Sequence, residues 1–382
     1  MKLIGASGSP EVHTGSGSPE VRKSGSRRIL AETGSLWGGI FCIFISSCLL
    51  VTPAVELSDQ DVIRILTSEQ PRDRAIRRGL DFIRQEQDQT GRVGDKHPMA
   101  MTSMALMAHL AAGITPNDPE HGPWMQRSLR YVLGQQDSNG YFGTADNSRM
   151  YGHGIAALML AEALGMTRDD DLEDRIRLAL ERAVAVIVNA AMVKKDEQNK
   201  GGWRYQPHED KSDLSLSGWQ LMALHATQQV GITVPESVIT GAVDYAKRMT
   251  TDDGKVGYEN RGSDHSALRG LALLSFMIGR QGDAPQVARI VARIQSDQLS
   301  WQGNWFFYRV YYDSVGMSRA APTQWENYGK QVEKILVDHQ SQDGSWSQPP
   351  GGNEDDKGKI YMTSMALLAL TVNRHVLPAY QR

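Results

Sequence analysis

The sequence predicts an all-α fold: a single α6/α6 toroid, a closed double ring of about twelve helices built from six repeats. Three observations predict it. Six glycine-centred motifs recur at a period near fifty residues. Each motif stands between an amphipathic helical pattern and a second one that is apolar nearly all round. No segment carries the strict alternation of a half-buried strand.

The motifs run in order from Gln89-Thr90-Gly91-Arg92-Val93-Gly94 and Ser138-Asn139-Gly140-Tyr141-Phe142-Gly143 to Gly201-Gly202-Trp203. Asp253-Gly254-Lys255-Val256-Gly257-Tyr258, Gln302-Gly303-Asn304-Trp305 and Asp343-Gly344-Ser345-Trp346 complete the set. With Gly91, Gly140, Gly202, Gly254, Gly303 and Gly344 as anchors, the spacings are 49, 62, 52, 49 and 41. An Asp/Asn-Gly pair supplies a residue that accepts positive φ, stopping one helix and turning the chain. The aromatics that follow, Tyr141, Trp203, Tyr258, Trp305 and Trp346, are expected to pack back as wedges between helices.

Taken in order, the outer pattern of the first repeat places Ile76, Leu80 and Ile83 on one face, and the same pattern precedes the last anchor at 332–337. A longer outer helix is expected over 176–188. The inner pattern appears as MTSMALMAHLA at 101–111 and returns as MTSMALLAL at 362–370. Segments 154–164, 217–225 and 267–278 are its equivalents. A helix apolar on every side must be enclosed by others, which closes the ring. The length of 382 residues alone would suggest two or three domains, but one repeat series fills 55–382 and makes one domain.

Residues 1–35 are rich in Gly, Ser and Pro and repeat Gly-Ser-Pro-Glu-Val, which reads as a disordered leader. Arg27 and Arg28 then precede an apolar run from Trp37 to Val51 and the exit Thr52-Pro53-Ala54. This order describes a secretory signal or membrane anchor over 36–54. Ile45-Ser46-Ser47-Cys48 also resembles a lipoprotein box, with acylation at Cys48 as the third alternative. Each places residues 55–382 outside the cytoplasm, secreted, periplasmic or anchored. Membrane contact is then expected only through 36–54, if that segment is uncleaved or lipidated.

Lys and Arg number 41 against 44 Asp and Glu, a net charge of −3, so there is no general electrostatic reason to bind nucleic acid. Only Cys42 and Cys48 are cysteines, and both precede the repeats. That excludes a disulfide framework, a thiolate nucleophile and a Cys-ligated metal from the ring.

Units such as Gln340-Ser341-Gln342-Asp343-Gly344-Ser345-Trp346 resemble the QW repeats of squalene-hopene and oxidosqualene cyclases, whose toroid the β subunits of protein prenyltransferases share. The resemblance covers roughly 70–375 and implies the fold more than the activity. Cyclases of this kind protonate an alkene with the middle acid of D-x-D-D-T. Here that place reads Asp213-Leu214-Ser215-Leu216-Ser217, so a hydroxyl stands where the proton donor belongs. Prenyltransferases need a Cys ligand to zinc, which this ring lacks. Asp170-Asp171-Leu172-Glu173-Asp174 matches the letters of a Mg²⁺-diphosphate motif, yet it opens an outer helix, where acidic residues cap the positive end.

The inner helices run parallel, so their N-termini converge on one end of a central funnel. The residues there are His97 and Thr102, Tyr151 and His153, Asp213 and Ser215, Asp264 and His265, and Tyr361 and Thr363. They read either as helix caps or as one shared site. As a site, Asp213, Asp264 and His265 are the catalytic candidates, able to form an acid/base pair or a His/Asp metal site with His153. His153, Tyr151, Ser215, Trp219, Tyr308, Tyr311 and Tyr312 are the ligand-binding candidates. Tyr308, Tyr311 and Tyr312 share one helical face, with Asp313 behind them, and read as core filling or as a funnel wall. Positive helix ends pointing inward favour an anionic guest.

Two functions are therefore expected of the sequence. One is a funnel that binds a small molecule or peptide, isoprenoid-like or anionic. The other is a secreted enzyme, terpenoid cyclase-like or a polysaccharide lyase or hydrolase, working through Asp213 and Asp264. No cofactor is assigned, and no resident metal.

Overall fold

A computed structural model gives the architecture and describes residues 69–374. The leader at 1–35 and the signal or anchor at 36–54, with Cys42 and Cys48, lie outside the described residues. Those described belong to one unit, Ile63–Arg382.

Among the described residues twelve α-helices alternate between two rings. The outer ring holds α1 (Pro71–Gln85), α3 (Gly122–Leu133), α5 (Asp170–Ala191), α7 (Glu236–Met249), α9 (Pro285–Ser296) and α11 (Pro322–Asp338). The inner ring holds α2 (Pro98–Ala111), α4 (Arg149–Ala163), α6 (Leu214–Gln229), α8 (Arg269–Ile278), α10 (Phe306–Ala320) and α12 (Lys359–Thr371). Among the described residues there is no strand, only isolated bridges. Each inner helix packs on the next, and α12 returns to pack on α2, so the ring is closed. In the outer ring α11 packs against α1, and α3 against α5.

The two sequence patterns become the two layers. Helix α2 is buried from Met99 to Ala111, and α12 from Ile360 to Thr371, while α1 buries one face through Ala75, Ile76, Gly79, Leu80 and Ile83. Helices α1, α9 and α11 begin on a proline, whose fixed φ suits the first helical position. Helix α5 opens as its acidic motif implies: Asp169 caps it by accepting from Leu172 N, with Asp170, Asp171 and Glu173 in the first turn.

The glycine motif is a joint between consecutive repeats. A Cβ on Gly91, Gly140 or Gly344 would meet the backbone of the next outer helix at Arg127, Arg182 or Arg78, so the turn packs directly on that helix. In the third repeat the residue with positive φ is Gly201, at 83°, not the expected Gly202. Glutamine four residues before the glycine ties the joint. Gln87, Gln136 and Gln340 donate to the carbonyls of Trp124, Ala179 and Ala75, at 2.9, 2.8 and 2.8 Å. An arginine answers from the outer helix: Arg182 donates to Ser138 O at 2.6 Å, Arg293 to Asp253 O at 2.8 Å and Arg78 to Ser341 O at 2.8 Å.

The wedge sits two residues after the glycine and is apolar, not always aromatic: Val93, Phe142, Trp203, Val256 and Trp346, all buried. Its backbone N–H is held by a side chain at the entrance of the inner helix. The acceptors are Thr102 for Val93, His153 for Phe142, Ser217 for Trp203 and Thr363 for Trp346, at 2.9, 3.2, 2.9 and 3.2 Å. Trp203 and Trp346 also donate through Nε1 to Ile187 O and Leu336 O. Tyr141 is buried beside the wedge, but Tyr258 and Trp305 depart from the expected role. Trp305 is 40 % exposed, and both line the central cavity.

Candidate functional site

A cavity of about 550 Å³ occupies the end of the ring where the inner helices begin. All six repeats contribute to it. Helix α2 offers Ala100 and Met101, α4 Arg149, Tyr151, Gly152 and Ile155, α6 Ser215 and Trp219, α10 Tyr308, and α12 Tyr361 and Met365. Ala267 and Leu268 come from the 3-10 turn that leads into α8. Loop residues His97, Asn147, Ser148, Tyr205, Tyr258, His265, Trp305 and Lys357 complete the wall. No Asp or Glu is among them. A more open hollow of about 640 Å³ lies outside the ring at Arg84, Glu120, Trp124 and Arg127. Its Arg84 and Glu120 already pair with each other, at 3.0 Å.

Backbone strain gathers at the cavity. Five described non-glycine residues have positive φ, and four line it: His97 at 43°, Asn147 at 56°, Arg149 at 59° and Trp305 at 55°. Each costs about 1–2 kcal/mol relative to the right-handed conformation, so the surrounding contacts must impose it. His97 Nδ1 bonds Asp146 O at 2.9 Å, and Trp305 N donates to Asn353 at 2.9 Å.

Four of the six converging helix ends are already met by the protein's own carboxylates. Asp146 accepts from Ala100 N on α2 at 3.1 Å, Asp213 from Leu216 N on α6 at 2.8 Å and Asp313 from Gly270 N on α8 at 3.1 Å. Glu354 takes both Phe307 N and Tyr308 N on α10, at 3.0 and 3.1 Å. Six free positive ends do not await an anion. Only α4 and α12 lack such a carboxylate cap, and the two cationic side chains of the wall, Arg149 and Lys357, stand beside them.

Asp213 is fully buried and caps α6. Its Oδ1 also accepts from Ser215 Oγ at 2.8 Å, and Oδ2 pairs with Arg204 at 3.1 Å. Burial raises its carboxyl above the ordinary range, against the bonds from Leu216 and Ser215 and the Arg204 charge. Ser215 Oγ, itself on the wall, lies 2.5 Å from Tyr151 Oη, so the carboxylate meets the wall through this hydroxyl. The phenols of Tyr151, Tyr308 and Tyr361 are all pushed well above their usual value by burial.

Several expected placements are corrected. Asp264 bonds Arg269 at 2.8 Å and Arg293, on the outer helix α9, at 3.3 Å. Burial opposes its ionisation, and the Arg269 guanidinium more than offsets this, leaving its carboxyl below the usual range. His153 accepts from Phe142 N and turns Nε2 to Ala183 O on the outer helix α5, at 3.1 Å. It stands where Thr102, Ser217 and Thr363 stand in other repeats, and burial holds its pKa down at about 4. So neither Asp213 nor Asp264 nor His153 is on the cavity wall; of that group only His265 is, edge-on to Tyr258 at 6.1 Å. Among the described residues no group of three or more His, Asp or Glu could hold a metal ion.

The aromatic face divides. Tyr308 lines the cavity with Tyr151, Ser215 and Trp219. Tyr311 and Tyr312 are buried behind Trp219, at 6.1 and 5.7 Å between ring centres. They fill the core because successive residues of one helix face spread over depth as well as angle. Glu354 and Asp146 were not legible as site residues. Each lies in a loop and acts on a helix of another repeat or across a turn, which no local spacing encodes.

No protein-family model matches the chain, and no curated protein matches it in sequence. Solved structures do. An inactive variant of the GH76A α-1,6-mannanase of Salegentibacter sp. HEL1_6, in complex with α-1,6-mannotriose, superposes with TM-score 0.55 and 11 % identity. It covers 77 % of this chain and 99 % of its own. The type II terpene cyclase MstE of Scytonema, in complex with its product merosterolic acid A, gives 0.51 and 15 % over 80 % and 97 %. A protein from Actinoplanes gives 0.52 and 14 % over 78 % and 98 %. At these identities the likeness is one of fold, the α/α toroid common to terpene cyclases and GH76 mannanases.

Proposed function

We propose that this chain is a ligand-binding toroid whose cavity takes a small molecule with an apolar, isoprenoid-like body. The observation that carries the reading is the wall itself: Tyr, Trp, Met, Ile and Leu side chains form most of its surface, and its polar residues include no carboxylate. Such a surface desolvates an apolar guest at about 25 cal/mol per Å² and offers little that a sugar hydrolase needs. Hydrolysis of a glycoside uses two carboxylates flanking the bond, and Asp213 and Asp264 do not flank this cavity. The terpenoid bound by MstE is consistent with the same use of the fold. An acidic group on the guest would be met by Arg149 and Lys357 beside the uncapped ends of α4 and α12. Export through 36–54, leaving 55–382 outside the cytoplasm, belongs to the same reading.

Trp219 and Trp305 on the wall make the test direct. Titration with farnesol is expected to quench tryptophan fluorescence saturably at micromolar concentration, and titration with α-1,6-mannotriose to leave it unchanged. Saturable binding of the saccharide alone would replace this reading with a saccharide one.

A further inference from the structure

The cavity holds five tyrosines, and the direction of their hydrogen bonds limits what they can offer a guest. We propose that the ligand carries a hydroxyl that it donates to the Tyr151 phenol oxygen; the inference rests on the ligand-binding reading and names its chemical class as an apolar alcohol.

The chain of hydrogens starts at Asp213, which meets only donors at its known contacts. Leu216 N and Ser215 Oγ reach Oδ1, both at 2.8 Å, and Arg204 Nη1 reaches Oδ2, at 3.1 Å. Leu216 N and the Arg204 guanidinium can only donate, and both bond the ionised form, so Asp213 is a carboxylate. The single hydrogen of Ser215 therefore points at Asp213. In the 2.5 Å contact between Ser215 and Tyr151, the phenol must then be the donor. Its remaining lone pair is what Tyr151 presents to the cavity.

Two other phenols are committed in the same way. Tyr308 donates to Ser215 O at 3.3 Å, and Tyr361 to Glu354 Oε1 at 3.2 Å. Tyr205 and Tyr258 share one hydrogen between their hydroxyls, at 3.1 Å. The hydrogens of Tyr151, Tyr308 and Tyr361 run into the protein. At Tyr151 what remains for the guest is an acceptor, while donors stand elsewhere on the wall at Arg149, Lys357, Asn147, Ser148, the two indoles and the histidines. A buried acceptor left without a donor loses its bond to water, so a guest with a hydroxyl is favoured over one that can only accept. An ammonium would satisfy Tyr151 equally, but it would meet the Arg149 guanidinium on the same wall.

Binding of farnesol, farnesyl methyl ether and farnesal to the full chain, followed by tryptophan fluorescence, tests this. The three share one apolar body, and only the alcohol donates. The alcohol is expected to bind about tenfold or more tighter than the ether and the aldehyde. In Tyr151→Phe that preference is expected to fall to about twofold while ether affinity, which reports an intact cavity, is kept. Should Tyr151→Phe fail to fold, the alcohol-to-ether ratio of the unaltered protein decides alone. Equal binding of ether and alcohol, or tighter binding of the aldehyde, overturns the inference but leaves the binding reading standing. No binding of any of the three overturns both.

Discussion

A methyl group placed on Gly344 would lie 2.3 Å from the carbonyl oxygen of Arg78, so the last repeat and the first touch backbone to backbone. Arg78 answers by donating to Ser341 O and Gln342 O at 2.8 and 2.7 Å. This contact is the seam of the ring. It repeats, between the ends of the chain, the joint that Gly91 and Gly140 make within it.

Gly344→Ala is expected to destabilise strongly, by about 3 kcal/mol or more, because positive φ and the clash act together. Gly303 has a similar φ of 91°, but a methyl placed there would meet nothing within 4 Å, so Gly303→Ala should cost only about 1 kcal/mol. Urea unfolding of the two variants checks this. Equal costs would show that the close approach to α1 is not limiting.

His153 is held neutral by burial, its pKa lowered from 6.5 to about 4. Between those values the unfolded chain binds a proton that the folded one does not, so stability falls as pH drops through this window. His153→Thr keeps an acceptor for Phe142 N, as Thr102 and Thr363 do for Val93 and Trp346. It is expected to lower stability at pH 7 by leaving a cavity, while making stability less pH-dependent between 6.5 and 4. An unchanged slope would mean that the imidazole titrates normally.

Asp313 works with the opposite sign. Burial raises its carboxyl from 3.8 to about 6, against the pull of Arg309. The folded state therefore keeps a proton that the unfolded state has lost, and this contribution fades as pH rises from about 4 to 6. Asp313→Asn, which cannot titrate, is expected to remove that fall, as followed by unfolding midpoints across about pH 4–7.

Glu354 joins Phe307 N, Tyr308 N and the Tyr361 hydroxyl, so it fixes two walls of the cavity at once. Glu354→Ala leaves three buried donors unpaired and should cost about 2–4 kcal/mol, with weakened farnesol binding. Glu354→Gln retains one acceptor oxygen and should cost less. The two variants are compared by thermal unfolding together with fluorescence titration.

The sequence by itself determined the double ring, its six repeats and the glycine joints. These rest on local chemistry repeated in phase: a helical period of about 3.6, a turn that needs positive φ, and a glutamine four residues earlier. It also brought Tyr151, Ser215, Trp219, Tyr308 and His265 to notice, because the start of each inner helix is fixed by the repeat. Tertiary structure decided which polar residues at those starts face inward. His153 and Asp264 turn to the outer helices because the Ala183 carbonyl and Arg293 wait there, partners that lie 30 residues away in one case and 29 in the other. Tertiary structure also set the direction of the Tyr151 hydrogen. That direction follows from where one carboxylate, Asp213, ends a chain of donors, and no spacing along the sequence carries it.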